Sequence, residues 1–589
     1  MVMGLFIFIS TKSYQQSTDG KLFNFGTWQS FGDPLSRSDY PEISGRLCNF
    51  RWKDIEINQG DWYWKDFDSS LAAKTQDSLP IIFLVYTEED APDWLYESGV
   101  PKVTVKDAET GEIVDYVPYY ADPQYKFYFK GMITKVREHI EELPDSVRKW
   151  IIGVQGCFGS TGDYIGYKGN VPSQYYLNYS DFFALFKEFS THYYNEYKNT
   201  NPKISLLSNP QNNGEEQMEW LLANCPNGWI KCGSIGKGFQ LNDELDKSQW
   251  LSPFLNQKQN NEYLRSRSET VGVHLWSGWW NSNPYRNMFA LFTAGIHWGL
   301  DWSNLTGEQV KDHLFDPALH FYNKYSGKKD PLSSDVAVCA LRDGLDAQDK
   351  IRFPIAEFGG AGRNNIARYT NIANRFAAYG AKLEDPTSAT LTETENLDAT
   401  GINDVGWNIF PGNYERYLHQ INANETSAGY WNVDAPSEPN SIYGRFARGF
   451  DLSKGKTALY FDVQNDFLNN VPLNAKYPVS VEITYLDKGY GKFVLFYDAL
   501  KKTDKFAFQI DCQNSGTWKK ISITIEDANF GNRAVNASDF YIKNKGSENV
   551  IFSTVELSRP VTGYSDIGFK RGTTTVFDTI CYNGVSTVH

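Results

Sequence analysis

The chain has 589 residues, too many for one core, so two to four domains are expected. Its formal net charge of −14 argues against nucleic acid as a partner, because phosphate binding needs a basic surface. No run of 18 apolar residues occurs, so no helical membrane span is expected.

Aromatic residues make up 15% of the chain, with 17 Trp and 36 Tyr. A buried indole N–H or phenol O–H needs a partner, so this surplus points to surfaces that stack on flat ligands such as sugar rings. The seven Cys lack metal-ligand spacing, and an odd total leaves at least one thiol unpaired. Cys225 and Cys232, in "CPNGWIKC", form either a local disulfide or a free pair. There is no HExxH or paired-His motif, and neither a catalytic metal nor a cofactor is expected. The start, "MVMGLFIFIS", is apolar without a basic n-region, and reads as a trimmed signal peptide or a strand.

In chain order, short apolar runs predict strands at "LFNFGTW" (22–28), "GRLCNFRW" (45–52), "PIIFLVY" (80–86), "WIIGVQ" (150–155), "KISLLSN" (203–209) and "WIKCGSI" (229–235). Two more are expected, one within 263–276 and one at "GIHWGLDW" (295–302). Amphipathic stretches such as "KFYFKGMITKVREHIEEL" and "YSDFFALFKEFSTHYYNEY" alternate with them. "KVTVKDAETGEIVDYVPYY" predicts a hairpin after the third strand. The pattern predicts an α/β fold: a (β/α)₈ TIM barrel over 20–328, then a mixed α/β segment over 329–430. From 431 to 562, alternating apolar residues and close-set turns predict an antiparallel β-sandwich.

Chemistry in such a barrel sits where strands end. Asp163 lies just past the fourth strand in "GCFGSTGD", either as a catalytic acid or as a turn-forming Asp. Glu269 follows Arg265 and Arg267 at alternate positions in "YLRSRSET". On a strand the two cations would keep it ionised; on a helix it would be a surface partner of Arg265. Glu357, in "RFPIAEFGG", is a rival. "HLWSGWWNSNPY" supplies His274, Trp276, Trp279 and Trp280, and "HWGLDW" supplies His297, Trp298 and Trp302, as candidate substrate contacts whose rings would stack on sugar units. Trp276 and Trp298 fit the barrel core equally well.

"RWKDIEINQGDWYWKDFDSSL" (51–71) resembles the second-strand motif of barrel glycoside hydrolases, through Trp52, Ile55 with Glu56, Gly60, an aromatic and Asp68. The resemblance is to the superfamily of retaining glycosidases that includes β-galactosidases and agarases, which have an acid/base after strand four and a nucleophile after strand seven. Carried over, it implies Asp163 as acid/base and Glu269 as nucleophile, although the usual Asn-Glu pair of strand four is absent here. It also implies substrate contacts from Trp52, Glu56, Gln155, Arg265 and Arg267. The implied substrate is a polysaccharide, an algal galactan, sulfated or not, being the first choice, attacked in endo fashion by a secreted, periplasmic or surface-bound monomer. The alternative is a non-catalytic glycan-binding protein on a degenerate barrel. The sandwich is expected to be carbohydrate-binding-like or a structural appendage, since no aromatic cluster stands out in its sequence.

Overall fold

A computed structural model describes residues 15–16, 22–108, 110–158, 166–167, 169–209, 214–234, 266–269, 283–297, 299–328, 330–342, 350–351, 353–360, 367–368, 371, 397–398, 401–402, 412–431, 433–434, 441–469 and 477–560. The chain divides into two compact units, Met1–Lys231 with Asn261–Arg265, and Cys232–Asn260 with Ser266–His589.

In the first unit, β1 (Gly26–Phe31), β2 (Ile43–Arg51), β3 (Ile81–Tyr86), β4 (Ile151–Gln155), β5 (Ser205–Ser208) and the start of β6 (Trp229–Ser234) form a parallel sheet in chain order. Helices α1 (Lys65–Lys74), α2 (Pro123–Glu142), α3 (Tyr179–Tyr197) and α4 (Gly214–Asn224) form the later crossovers. The first crossover, 32–42, contains no helix, which departs from the expected alternation.

Local sequence explains these elements. Asp122 caps α2 by accepting from the backbone N–H groups of Gln124 and Tyr125, with Pro123 in the first turn. Tyr125, Phe129, Met132, Ile133, Val136 and Ile140 then recur at helical spacing and are buried. α3 starts on a capping box of Asn178 and Asp181. The glycine of "IIGVQ" also has a cause. A Cβ on Gly153 would lie 2.9 Å from Trp229 Cζ3 and 3.0 Å from Ile82 Cγ1. Likewise, a Cβ on Gly45 would lie 2.4 Å from the buried Trp28 ring. Two indoles thus occupy space that two strands leave by having no side chain there. The hairpin Lys102–Lys106 with Ile113–Pro118 forms after β3, as expected.

In the second unit, β7 (Ser266–Glu269) and β8 (Trp302–Thr306) are parallel neighbours joined by α5 (Pro284–His297). The eighth strand is therefore displaced from the expected 295–302. Met288, Phe289, Leu291, Phe292 and Ile296 continue a helical period, and α5 stops only at Gly299. There the Gly299 N–H donates to Ile296 O and the Leu300 N–H to Gly295 O, with Gly299 at φ 71°, a glycine C-cap. Helix α6 (Asp316–Tyr325) follows.

The sandwich has two antiparallel sheets. One orders β10 (Tyr414–Arg416), β9 (Val336–Ala340), β20 (Ile551–Ser558), β13 (Phe446–Gly449) and β12 (Ala428–Trp431); β15 (Val479–Asp487) joins β20 to β18 (Thr517–Ile525). The other orders β11 (Leu418–Ile421), β14 (Ala458–Val463), β19 (Phe540–Asn544), β16 (Lys492–Ala499) and β17 (Lys502–Asp511). Its core packs Phe461, Leu495, Phe540 and Ile542 with Val481, Ile483, Val555 and Leu557. The sandwich thus draws strands from the segment expected to be mixed, because Val336–Ala340 pairs with Ile551–Ser558.

Candidate active site

The carboxyl ends of the parallel strands carry the polar groups. β2 runs into a single turn, Trp52–Ile55. There the Trp52 indole N–H donates to Glu56 Oε2 at 2.8 Å, and the Gly60 N–H donates to Glu56 Oε1 at 2.9 Å. The Trp94 indole N–H donates to the Glu56 carbonyl at 3.1 Å. Burial raises the Glu56 pKa above the ordinary carboxylate range, while the two donors to its carboxylate oppose the shift. Trp52 is fully buried, with Trp94, Tyr125 and Phe129 rings around it. It is a core residue, and its expected contact with substrate is corrected: the ring has no exposed face.

β3 ends at Tyr86, and the following Glu88 is buried with φ 60°, a left-handed conformation uncommon outside glycine. One carboxylate oxygen from each of Glu88, Glu89 and Asp115 lies within 4.8 Å of the other two, the one such grouping of possible cation ligands among the described residues. Lys53 stands beside it, 2.8 Å from Asp90 Oδ1 and donating to the Glu89 carbonyl at 3.2 Å. Burial first, then repulsion from Glu89 and Asp90, raises the Asp115 pKa.

β4 ends on Gln155, which is buried, and the Gly156 N–H extends the ladder by donating to Leu207 O. Asp163 lies in 159–165, outside the described residues. Where the chain is described again, a concavity of about 500 Å³ opens among Tyr167, Asn170, Tyr176, Asn178, Tyr179 and Phe182. Tyr176 is 68% and Tyr179 36% exposed. Tyr167 stacks on buried Tyr120, ring centroids 4.9 Å apart, and the Tyr179 hydroxyl bonds Glu216 at 2.8 Å. Sequence reasoning missed Glu88 and the Tyr176/Tyr179 pair. The pair's signal was available: two tyrosines flanking a helix cap, in a polar stretch with little else to bury them.

In the second unit, Glu269 is the last residue of β7, with Glu269 opposite Asn304 and Arg267 opposite Trp302. The helical reading of this segment is therefore excluded. Positions 267 and 269 share one strand face. Arg265, His274, Trp276, Trp279, Trp280 and Trp298 lie outside the described residues. Two other expectations are corrected. Trp302 is fully buried at the start of β8. His297 ends α5 rather than a strand; its Nδ1 accepts the Glu415 N–H at 3.0 Å, and burial lowers its pKa to about 4. It is a neutral packing residue. Glu357 sits exposed on the one-turn helix Ile355–Phe358. Cys225 is a buried free thiol, pushed up to about 12 by burial, so it forms no disulfide with Cys232.

Among the described residues, no helix is long and apolar enough to cross a membrane. No protein-family model matches the sequence, and no curated protein matches it. Among solved structures, the chain is similar to a β-galactosidase from the psychrophilic Marinomonas ef1, at 14% identity and a TM-score of 0.32, over 48% of this chain and 53% of that one. It is similar to endo-glycoceramidase II from Rhodococcus sp. at 9% identity and TM-score 0.33, over 50% and 76%. A third is a β-galactosidase from the Antarctic haloarchaeon Halorubrum lacusprofundi, at 11% and 0.34, over 51% and 58%. The chain thus spans little more than half the length of either β-galactosidase. These neighbours are glycosidases, but likenesses this slight leave the functional reading to the residues themselves.

Proposed function

We propose that the chain is a glycoside hydrolase that cleaves a polysaccharide from a (β/α)₈ barrel, by the two-carboxylate retaining route. The carrying observation is the place of Glu269 as the last residue of a parallel strand, the end at which barrel enzymes do their chemistry. Asp163 follows β4 within a few residues, after a strand of the same kind. Six chain-ordered parallel strands in one unit, with a parallel strand–helix–strand–helix run in the other, support the eight-strand count.

In this reading Asp163 protonates the departing glycosidic oxygen and Glu269 attacks the anomeric carbon. The resulting glycosyl–enzyme is hydrolysed by water, which Asp163 deprotonates. The reading calls on Arg267, two residues before Glu269 on the same strand, as the cation that would keep the nucleophile ionised. Tyr176 and Tyr179 offer rings to sugar units beside the β4 loop. An algal galactan, cut internally, is the first substrate to try.

The test is reducing-end release from a polysaccharide panel, followed by two variants. Glu269→Gln should lose several orders of magnitude in rate and keep its fold. Asp163→Asn should abolish cleavage of poor leaving groups, keep part of the activity on an activated aryl glycoside, and respond to azide. Glu357→Gln should change nothing. Near-normal turnover in Glu269→Gln overturns the nucleophile assignment. A wild-type chain that binds glycan and releases no reducing ends overturns the hydrolase reading in favour of a binding protein.

A further inference from the structure

The sandwich carries an aromatic row that its sequence conceals. Tyr460 on β14 stands opposite Tyr541 on β19, Tyr541 opposite Phe496 on β16, and Phe496 opposite Phe506 on the edge strand β17. Four adjacent strands thus each place one ring in a single transverse line. The centroids are 5.5, 5.2 and 6.1 Å apart along the line, and the Phe496 and Tyr541 planes lie within 22° of each other. Alternation puts these rings on the face away from the core, because Phe461, Leu495, Phe540 and Ile542 occupy the core face of the same strands. Phe506 is 53% exposed, Tyr460 and Phe496 are half-buried, and Tyr541 is wedged between its neighbours.

The backbone is adjusted to complete this row. Phe508 pairs with Leu495 and packs toward the core. Two residues earlier, Phe506 would face the core as well, in a regular strand. A register shift between Leu495 and Phe496 leaves Ala507 as an extra residue and turns Phe506 outward onto Phe496. Bulges of this kind re-aim a side chain, often at functional sites. An exposed Phe on an edge strand is otherwise a liability for sheet-to-sheet association.

The surroundings of the row define what it would take. Lys543 and Gln509 lie one step along the same face, both exposed, across from Val494. Asp504, at φ 52°, stands at the other side, accepts the Val535 N–H at 3.1 Å and hydrogen-bonds the Tyr541 hydroxyl. Charges of both signs beside the rings give no net field to select a polyanion or a polycation. Aromatic faces with scattered donors and acceptors match a molecule that is apolar on its ring faces and hydroxylated at its rim.

We propose that this row is a binding platform for an uncharged polysaccharide chain lying across strands β14, β19, β16 and β17. The platform is independent of the catalytic reading, since none of its residues belongs to the candidate active site. A sulfated galactan is not the ligand this face selects.

The test is affinity electrophoresis of the full chain through gels containing galactomannan, xyloglucan, laminarin or agarose, with carrageenan as the sulfated control. Retardation is expected in at least one neutral gel and is expected to exceed that in carrageenan. Phe506→Ala and Tyr460→Ala should each weaken it about tenfold, and the pair should abolish it. Phe506 is exposed and Tyr460 half-buried on the face away from the core, so the thermal midpoint should hold for Phe506→Ala and fall little for Tyr460→Ala, and hydrolysis of a short soluble substrate should be unchanged. The proposal fails if no neutral gel retards the protein, or if the paired variant is retarded like the wild type. It also fails if sedimentation shows a dimer that Phe506→Ala dissociates, which would make the row a contact between copies of the chain. A wild-type chain that is retarded but hydrolyses no glycan would count against the catalytic reading alone.

Discussion

The indole N–H of Trp52 is held by the Glu56 carboxylate at 2.8 Å, and the Gly60 N–H takes the other oxygen. One buried acid therefore closes the loop leaving β2 by serving two donors. Glu56→Ala leaves two donors without their partner, the buried Trp52 indole N–H and the N–H of the exposed Gly60, and should cost roughly 1–3 kcal/mol in urea denaturation. Glu56→Gln can satisfy only one and should cost about half as much. A Glu56→Gln protein of normal stability with its activity lost would instead put Glu56 in contact with substrate.

Gly153→Ala is a steric probe of the first unit. Its methyl would press on Trp229 and Ile82, so destabilisation of about 1–3 kcal/mol is expected. Trp229→Leu makes room, and the double variant should be more stable than the sum of the single effects allows. Simple additivity would show that the strand moves instead of the ring.

Acid should act on the second unit in two stages. His297 has a folded-state pKa of about 4, below its ordinary 6.5, so the unfolded chain binds the proton first. Its contribution is complete above about pH 6.5 and is lost between 6.5 and 4, on the order of 3 kcal/mol. Glu556 is held down to about 2 by Lys324 and Lys520 at 2.6 and 3.2 Å and by the Tyr325 hydroxyl, against the opposing effect of burial. Its contribution is present above about pH 4.5 and is lost between 4.5 and 2. Denaturant titrations across pH should show both slopes. His297→Asn, which can still accept the Glu415 N–H, should remove the upper slope only.

Tyr176→Ala should raise KM for a polysaccharide several-fold, leave kcat on a small aryl glycoside unchanged, and leave the melting temperature in place, because the ring is 68% exposed. A drop in stability with unchanged KM would mark the tyrosine as a packing residue of the β4–α3 connection.

Elements with strong local signals were legible in the sequence. α3 spans Tyr179–Tyr197, the predicted stretch, because a capping box and an apolar period coincide there. The eighth strand was misplaced because "GIHWGL" is as apolar as a strand, yet continues a helix begun at Pro284. Glu88 was missed because nothing in "TEED" announces a left-handed carboxylate. The aromatic row was invisible for another reason. Its members are brought together by cross-strand register and a bulge, and no single-strand pattern encodes either. Trp52 and Trp302 were misread because an indole in a motif looks alike whether it faces sugar or core.

The cysteines have a practical consequence. Cys48, Cys157, Cys225, Cys339 and Cys512 are all buried free thiols, and burial raises Cys48, Cys225, Cys339 and Cys512 above the usual thiol range. The Cys157 thiol donates to the Val85 carbonyl at 3.2 Å. These positions are spread from β2 to the residue that follows β17. An alkylating reagent applied to the native protein should therefore find these five sulfurs silent, and each would take its label only when its own neighbourhood opens. The native fold thus carries built-in reporters in both units, from which the order of regional unfolding can be timed by mass, one adduct after another, without adding a foreign probe.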